Sequence, residues 1–130
     1  MKITIKLRAD KGFRFLKKKY LPKTPSYNLN TSEGDGFRSV KRETAGDNIY
    51  FSIIDTYLCE SARDYKSSIT RNEYFSSCRK LCQEYISRLK GLKGVDAYIS
   101  ITDEYFDGRF CRETSDVIYD KGIDYTGEIF

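Results

Sequence analysis

The sequence predicts an α+β fold: an antiparallel β-sheet made of hairpins, with one long amphipathic helix at about 71–90 packed on one face. Three observations carry this reading. Ile3, Ile5 and Leu7 alternate with Lys2, Thr4, Lys6 and Arg8, the period of two expected of a half-buried strand. Tyr74, Phe75, Cys78, Leu81, Cys82, Tyr85, Ile86 and Leu89 recur at steps of three and four, which marks one face of a helix. Turn-forming residues, Ala45-Gly46-Asp47-Asn48 and Asp107-Gly108, separate runs rich in β-branched and aromatic residues, the pattern of hairpins.

In chain order, residues 2–8 form the first strand, and Ala9-Asp10-Lys11-Gly12 supplies turn chemistry. Phe13 and Phe15 flank Arg14 and continue the alternation, so 13–19 is expected to close a first hairpin. The competing reading makes 13–20 a helix, with Phe13, Leu16 and Tyr20 on one side. The whole chain would then follow the ferredoxin-like order β-α-β-β-α-β. Residues 21–36 hold both prolines among Ser, Thr, Asn and Gly, and form a long loop. A second hairpin pairs 37–44 with 49–58. Thr70-Arg71-Asn72-Glu73 has the spacing of a capping box, and Gly91 and Gly94 close the helix it opens. Val95 to Thr102 alternates as another strand, and Asp107-Gly108 turns the chain again. From Ser115 the order signals weaken. The 130 residues suit a single domain, with an acidic C-terminal segment from about 103.

Charge is distributed unevenly. Residues 1–44 hold twelve cations and four anions, whereas 95–130 hold three cations and nine anions; the whole chain carries +4. Such asymmetry points to a charged partner, or to mutual neutralisation of the two ends. There is no histidine, which excludes Ser-His-Asp and Cys-His engines and imidazole-ligated metals. No GxGxxG or GxxxxGK[ST] phosphate cradle occurs. The first twenty residues lack the apolar run of a secretory signal, and no stretch approaches the length of a membrane span. The expectation is a cytoplasmic protein, not bound to membranes, with Cys59, Cys78, Cys82 and Cys111 reduced. Cys78 and Cys82 fall four apart on the apolar side of the helix and read as small core filler, with no metal site and no cofactor expected.

The most suggestive feature is basic and aromatic. Lys6, Arg8, Arg14, Lys17, Lys18, Lys19, Tyr20 and Tyr27 crowd the N-terminal region. Cations neutralise phosphates and aromatic rings stack on bases, so this set is the candidate binding patch. In composition the chain resembles small accessory proteins of phages and mobile elements that bind host machinery. The expected function is a non-enzymatic binding protein, an inhibitor or accessory factor. Its partner would be nucleic acid or an acidic surface of a nucleic-acid-handling protein. One alternative is a metal-dependent nuclease using Asp55, Asp103 and Glu104, although the Glu-x-Lys that usually follows the aspartate in such sites is absent. Another is a subunit of a homo-oligomer in which the acidic end of one copy meets the basic end of the next.

Overall fold

A computed structural model describes residues 1–15, 19–23, 36–58, 63–64 and 70–130. In chain order the elements are β1 (Lys2–Asp10), β2 (Gly36–Ala45), β3 (Asn48–Tyr57), α1 (Arg71–Leu89), β4 (Val95–Phe106), β5 (Cys111–Asp120), β6 (Ile123–Asp124) and α2 (Thr126–Ile129). The protein is α+β, with six strands in one antiparallel sheet of order β2-β3-β1-β4-β5-β6.

Alternation in β1 survives folding: Ile3, Ile5, Leu7 and Ala9 are buried, and Lys2, Lys6, Arg8 and Asp10 are exposed. The strand β1 does not close a hairpin with 13–19, however. It lies between β3 and β4, with Ile5 opposite both Ile53 and Ile99. Both of its edges are thus occupied. Residues 13–14 are irregular backbone and 15, 19 and 20 are turns, none of them strand or helix, while 16–18 lie outside the described residues. The reason is tertiary: Phe15 is buried against Phe51, 5.3 Å between ring centroids, and closes one end of the core. The loop expected at 21–36 falls largely on residues 24–35, also outside the described set.

The β2–β3 hairpin turns through Gly46 and Asp47, with Gly46 at φ +58°, the left-handed conformation a two-residue turn requires. Helix α1 starts on the expected capping box. The Thr70 hydroxyl accepts from the Glu73 amide, and the Glu73 carboxylate accepts from the Thr70 amide, both at 3.2 Å. Tyr74, Cys78, Cys82, Tyr85, Ile86 and Leu89 are buried, while Asn72, Ser76, Arg79, Gln83 and Ser87 are exposed. The β4–β5 hairpin is longer than the sequence suggests, since β5 runs ten residues from Cys111. Its bulge at Ile118 turns that side chain, with Tyr119, into the core. The core therefore sits between one face of the sheet and α1, and α2 packs beside α1 with Phe130 against Phe75.

Candidate functional site

Pairing register determines what the other face of the sheet presents. Among the described residues, α1 and α2 lie on the core side, and no element covers the opposite face. One row across that face reads Lys41 (β2), Ser52 (β3), Lys6 (β1), Tyr98 (β4) and Asp120 (β5). The next reads Glu43, Tyr50, Arg8 and Asp96. The two rows line a shallow concavity of about 630 Å³, within the range that holds a small ligand or a nucleotide unit. Tyr50 and Tyr98 stand on the strands that flank β1, so cations lie between two phenol rings.

Its electrostatics are mixed. Arg8 donates its Nε–H to Asp96 Oδ2 at 2.9 Å, and this pair raises the guanidinium pKa above its ordinary value. Lys41 lies 3.1 Å from Glu43, and Lys2 lies 3.7 Å from Glu104. All three pairs are solvent-exposed, where ion pairs are weak and readily exchanged. Lys6 has no carboxylate partner among the described residues; its Nζ lies 5.9 Å from the centroid of the Tyr98 ring. The expected neutralisation of basic by acidic ends is therefore partial: β4 carboxylates take Lys2 and Arg8 and leave Lys6.

The basic patch expected from the sequence is divided. Lys6 and Arg8 lie on the uncovered face, as the alternation in β1 requires. Tyr20 is on the core side, 5.2 Å from Phe13 and 6.3 Å from Phe15, with Lys19 over its ring at 4.9 Å. The sheet separates these residues from Lys6 and Arg8. Arg14 is exposed on the turn between them. Lys17, Lys18 and Tyr27 lie outside the described residues. In their place the structure brings in Lys41, Tyr50, Ser52 and Tyr98. Alternation in their own strands placed each on a polar face, but only the strand order makes them neighbours of Lys6.

The three acids of the nuclease alternative do not converge. Asp55 is fully buried on β3, two strands away from Asp103 on β4, while Glu104 points to the opposite face from Asp103. Asp55 accepts from Arg38 Nε at 2.6 Å and Nη2 at 2.8 Å, and from the Tyr85 hydroxyl, which also meets Tyr57. Burial pushes the Tyr57 phenol up to about 12 and the Tyr85 phenol still higher, so both remain protonated donors. Arg38 reaches on to the Pro22 carbonyl at 2.9 Å, and Arg88 to the Leu21 carbonyl at 3.0 Å. Asp103 accepts from Tyr74 at 2.8 Å. These are satisfied structural networks, and every buried side-chain nitrogen or oxygen among the described residues has a partner. Cys78 and Cys82 are buried and Cys111 is exposed, while Cys59 lies outside the described residues. No group of three potential metal ligands occurs among the described residues.

Against protein-family models, curated proteins and solved structures alike, the chain finds no match. Among the described residues, no helix is long and apolar enough to cross a membrane.

Proposed function

We propose that this is a non-enzymatic, intracellular binding protein that takes single-stranded nucleic acid onto its uncovered sheet face, acting as an accessory factor or inhibitor by occupying the strand. The observation that carries the reading is the juxtaposition of Lys6, Arg8 and Lys41 with Tyr50 and Tyr98 around one concavity. Cations at that spacing suit phosphates, and the phenol rings offer stacking surfaces that tolerate any base. The Ser52 hydroxyl sits between Lys41 and Lys6, where it can donate to a phosphate oxygen. The strand order β2-β3-β1-β4, with α1 crossing from β3 to β4, supports a ferredoxin-like reading of this part of the fold. Aromatic residues on the exposed face of such a sheet are a recurrent means of holding single strands.

Fluorescence polarisation with labelled oligouridylate, oligothymidylate and a duplex of equal length tests the proposal. Single strands are expected to bind more tightly than duplex. Three phosphate contacts predict a slope of log K against log salt of about −2. Tyr50→Ala combined with Tyr98→Ala should weaken binding by at least about tenfold, the scale of one lost stacking contact. Lys6→Glu should do the same and flatten the salt dependence. Equal binding by the wild type and the double tyrosine variant rejects the assignment. A protein partner is the second reading, favoured by the carboxylates Glu43, Asp96 and Asp120 around the same concavity; mixed charge with tyrosine and arginine is common at protein interfaces. Absence of binding to any oligonucleotide at low salt would favour it.

A further inference from the structure

Both outer strands of the sheet leave backbone groups unpaired. In β2 the two-residue turn makes Ala45 and Asn48 a hydrogen-bonded pair. Counting back by twos, Arg38, Val40, Arg42 and Thr44 direct their N–H and C=O groups away from β3. On the far side of the sheet, β6 pairs with Tyr119 and Asp120 of β5, and the Tyr125 amide donates to the Ile118 carbonyl at 2.9 Å, so β5 is covered only from Ile118 on. The Asp107 amide donates to the Phe110 carbonyl at 3.1 Å. That sets the ladder so that Cys111, Glu113, Ser115 and Val117 direct their backbone groups outward. Among the described residues nothing pairs with either edge.

The two edges differ in charge. The strand β2 carries Arg38, Lys41 and Arg42 against Glu43, while β5 carries Glu113, Asp116 and Asp120 against Arg112. Two copies of β2 placed side by side would repel, and so would two copies of β5. Natural edges use charge to prevent self-pairing. Here the guard on one edge is the complement of the guard on the other.

We infer that the chain associates with further copies of itself through these edges, β2 of one molecule pairing antiparallel with β5 of the next. One register matches both the ladders and the charges. Arg42 meets the partner's Glu113, Glu43 meets the partner's Arg112, Val40 faces the partner's Ser115, and Arg38 faces the partner's Val117. Neither Arg42 nor Glu113 has an ion-pair partner within its own molecule among the described residues. The outward residues of β2 have side chains on the core face and those of β5 on the open face. An antiparallel hydrogen-bonded pair holds both side chains on one side, so each copy is turned over relative to its neighbour. Such a contact is heterologous, and it builds an open chain of molecules rather than a closed dimer.

Sedimentation velocity on the full chain over a range of concentrations at low salt tests this, with Val40→Pro and Ser115→Pro as edge blocks. Both amides point outward, so neither proline removes a backbone hydrogen bond within the molecule. Ser115→Pro gives up only the exposed hydroxyl contact with Thr102 at 2.9 Å, and edge strands tolerate proline; circular dichroism checks that each variant is folded. The wild type should increase in mass with concentration and dissociate at high salt. Each variant alone should be monomeric, and an equimolar mixture should form a dimer and nothing larger. As an independent pair, Arg42→Glu and Glu113→Arg should each weaken association and together restore it. A wild type that is monomeric at every concentration overturns the inference. So does association that persists in Ser115→Pro alone and is lost in Val40→Pro, which would indicate a symmetric β2–β2 dimer. The converse pattern, indicating β5–β5 pairing, overturns it too.

Discussion

Replacing Arg38 by methionine keeps the aliphatic stem and removes the guanidinium, leaving Asp55 with the Tyr85 hydroxyl alone. Asp55 is wholly buried and the Arg38 side chain is only 14 % exposed, so water cannot readily replace the lost partner. Breaking a buried pair by removing one member costs about 3–5 kcal/mol, because a buried charge is left uncompensated. The partial exposure of Arg38 favours the lower end, and the lost bond to the Pro22 carbonyl restores about 1 kcal/mol of cost. The expected loss is therefore about 3–4 kcal/mol, a large share of the stability of an ordinary domain. For a chain of this length that corresponds to a fall in Tm of roughly 10–15 °C. Urea unfolding followed by circular dichroism measures it. Adding Asp55→Asn should recover part of the loss, since the neutral amide is cheaper to bury. Arg38→Lys should fall between wild type and Arg38→Met, keeping the charge but not the two-pronged geometry. A loss below about 1 kcal/mol for Arg38→Met, the level of an exposed ion pair, would refute the reasoning.

Asp107 is held down to about 2 by the Phe110 amide, the Arg112 side chain and the Arg109 amide. A depressed carboxylate stabilises the fold above its unfolded pKa and loses that contribution as pH falls through the folded value. Acid titration of stability between about pH 4 and pH 2 should thus be less steep in Asp107→Asn than in wild type. Asp124, lowered chiefly by the Thr126 hydroxyl, should act in the same direction. Burial pushes the Cys82 thiol up, whereas Cys111 is exposed. With a thiol-specific chromophore, Cys111→Ser should remove a fast-reacting group from the native protein, and Cys82→Ser should change only the number titrated after unfolding. Thr70→Ala removes the side-chain half of the capping box and should cost about 1 kcal/mol in the same urea assay.

The parts of the fold legible in the sequence are those specified locally. The alternation of β1, the capping box at Thr70 and Glu73, and the turn at Gly46 each need only a few neighbouring residues. Phe13, Arg14 and Phe15 misled because three residues of alternation do not separate a strand from a turn whose second aromatic enters the core. Strand β5 was faint for the opposite reason. Most of its residues from Cys111 to Val117 are exposed, so no apolar alternation marks it, and pairing with β4 is what defines it. The candidate site was half legible. Alternation puts Lys6 and Arg8 on a polar face, but Tyr50 and Tyr98 join them only because β1 inserts between β3 and β4. No local signal reports that insertion, and none showed that Tyr20 would turn to the other side of the sheet.

The central place of β1 has a consequence for how the molecule acquires its structure. Ile5 must wait for Ile53 and then for Ile99 before both sides of its strand are satisfied, and closing such long stretches of chain slows folding. During synthesis β1 precedes both of its neighbours, and one of its edges stays unpaired until β4 follows. In that interval Ile3, Ile5 and Leu7 lie open to other nascent chains. Lys2, Lys6 and Arg8, interleaved with them, are the like charges that keep such a segment from stacking with its own kind. Lys6 and Arg8, the β1 cations of the proposed ligand contact, thereby also guard the chain before it has folded.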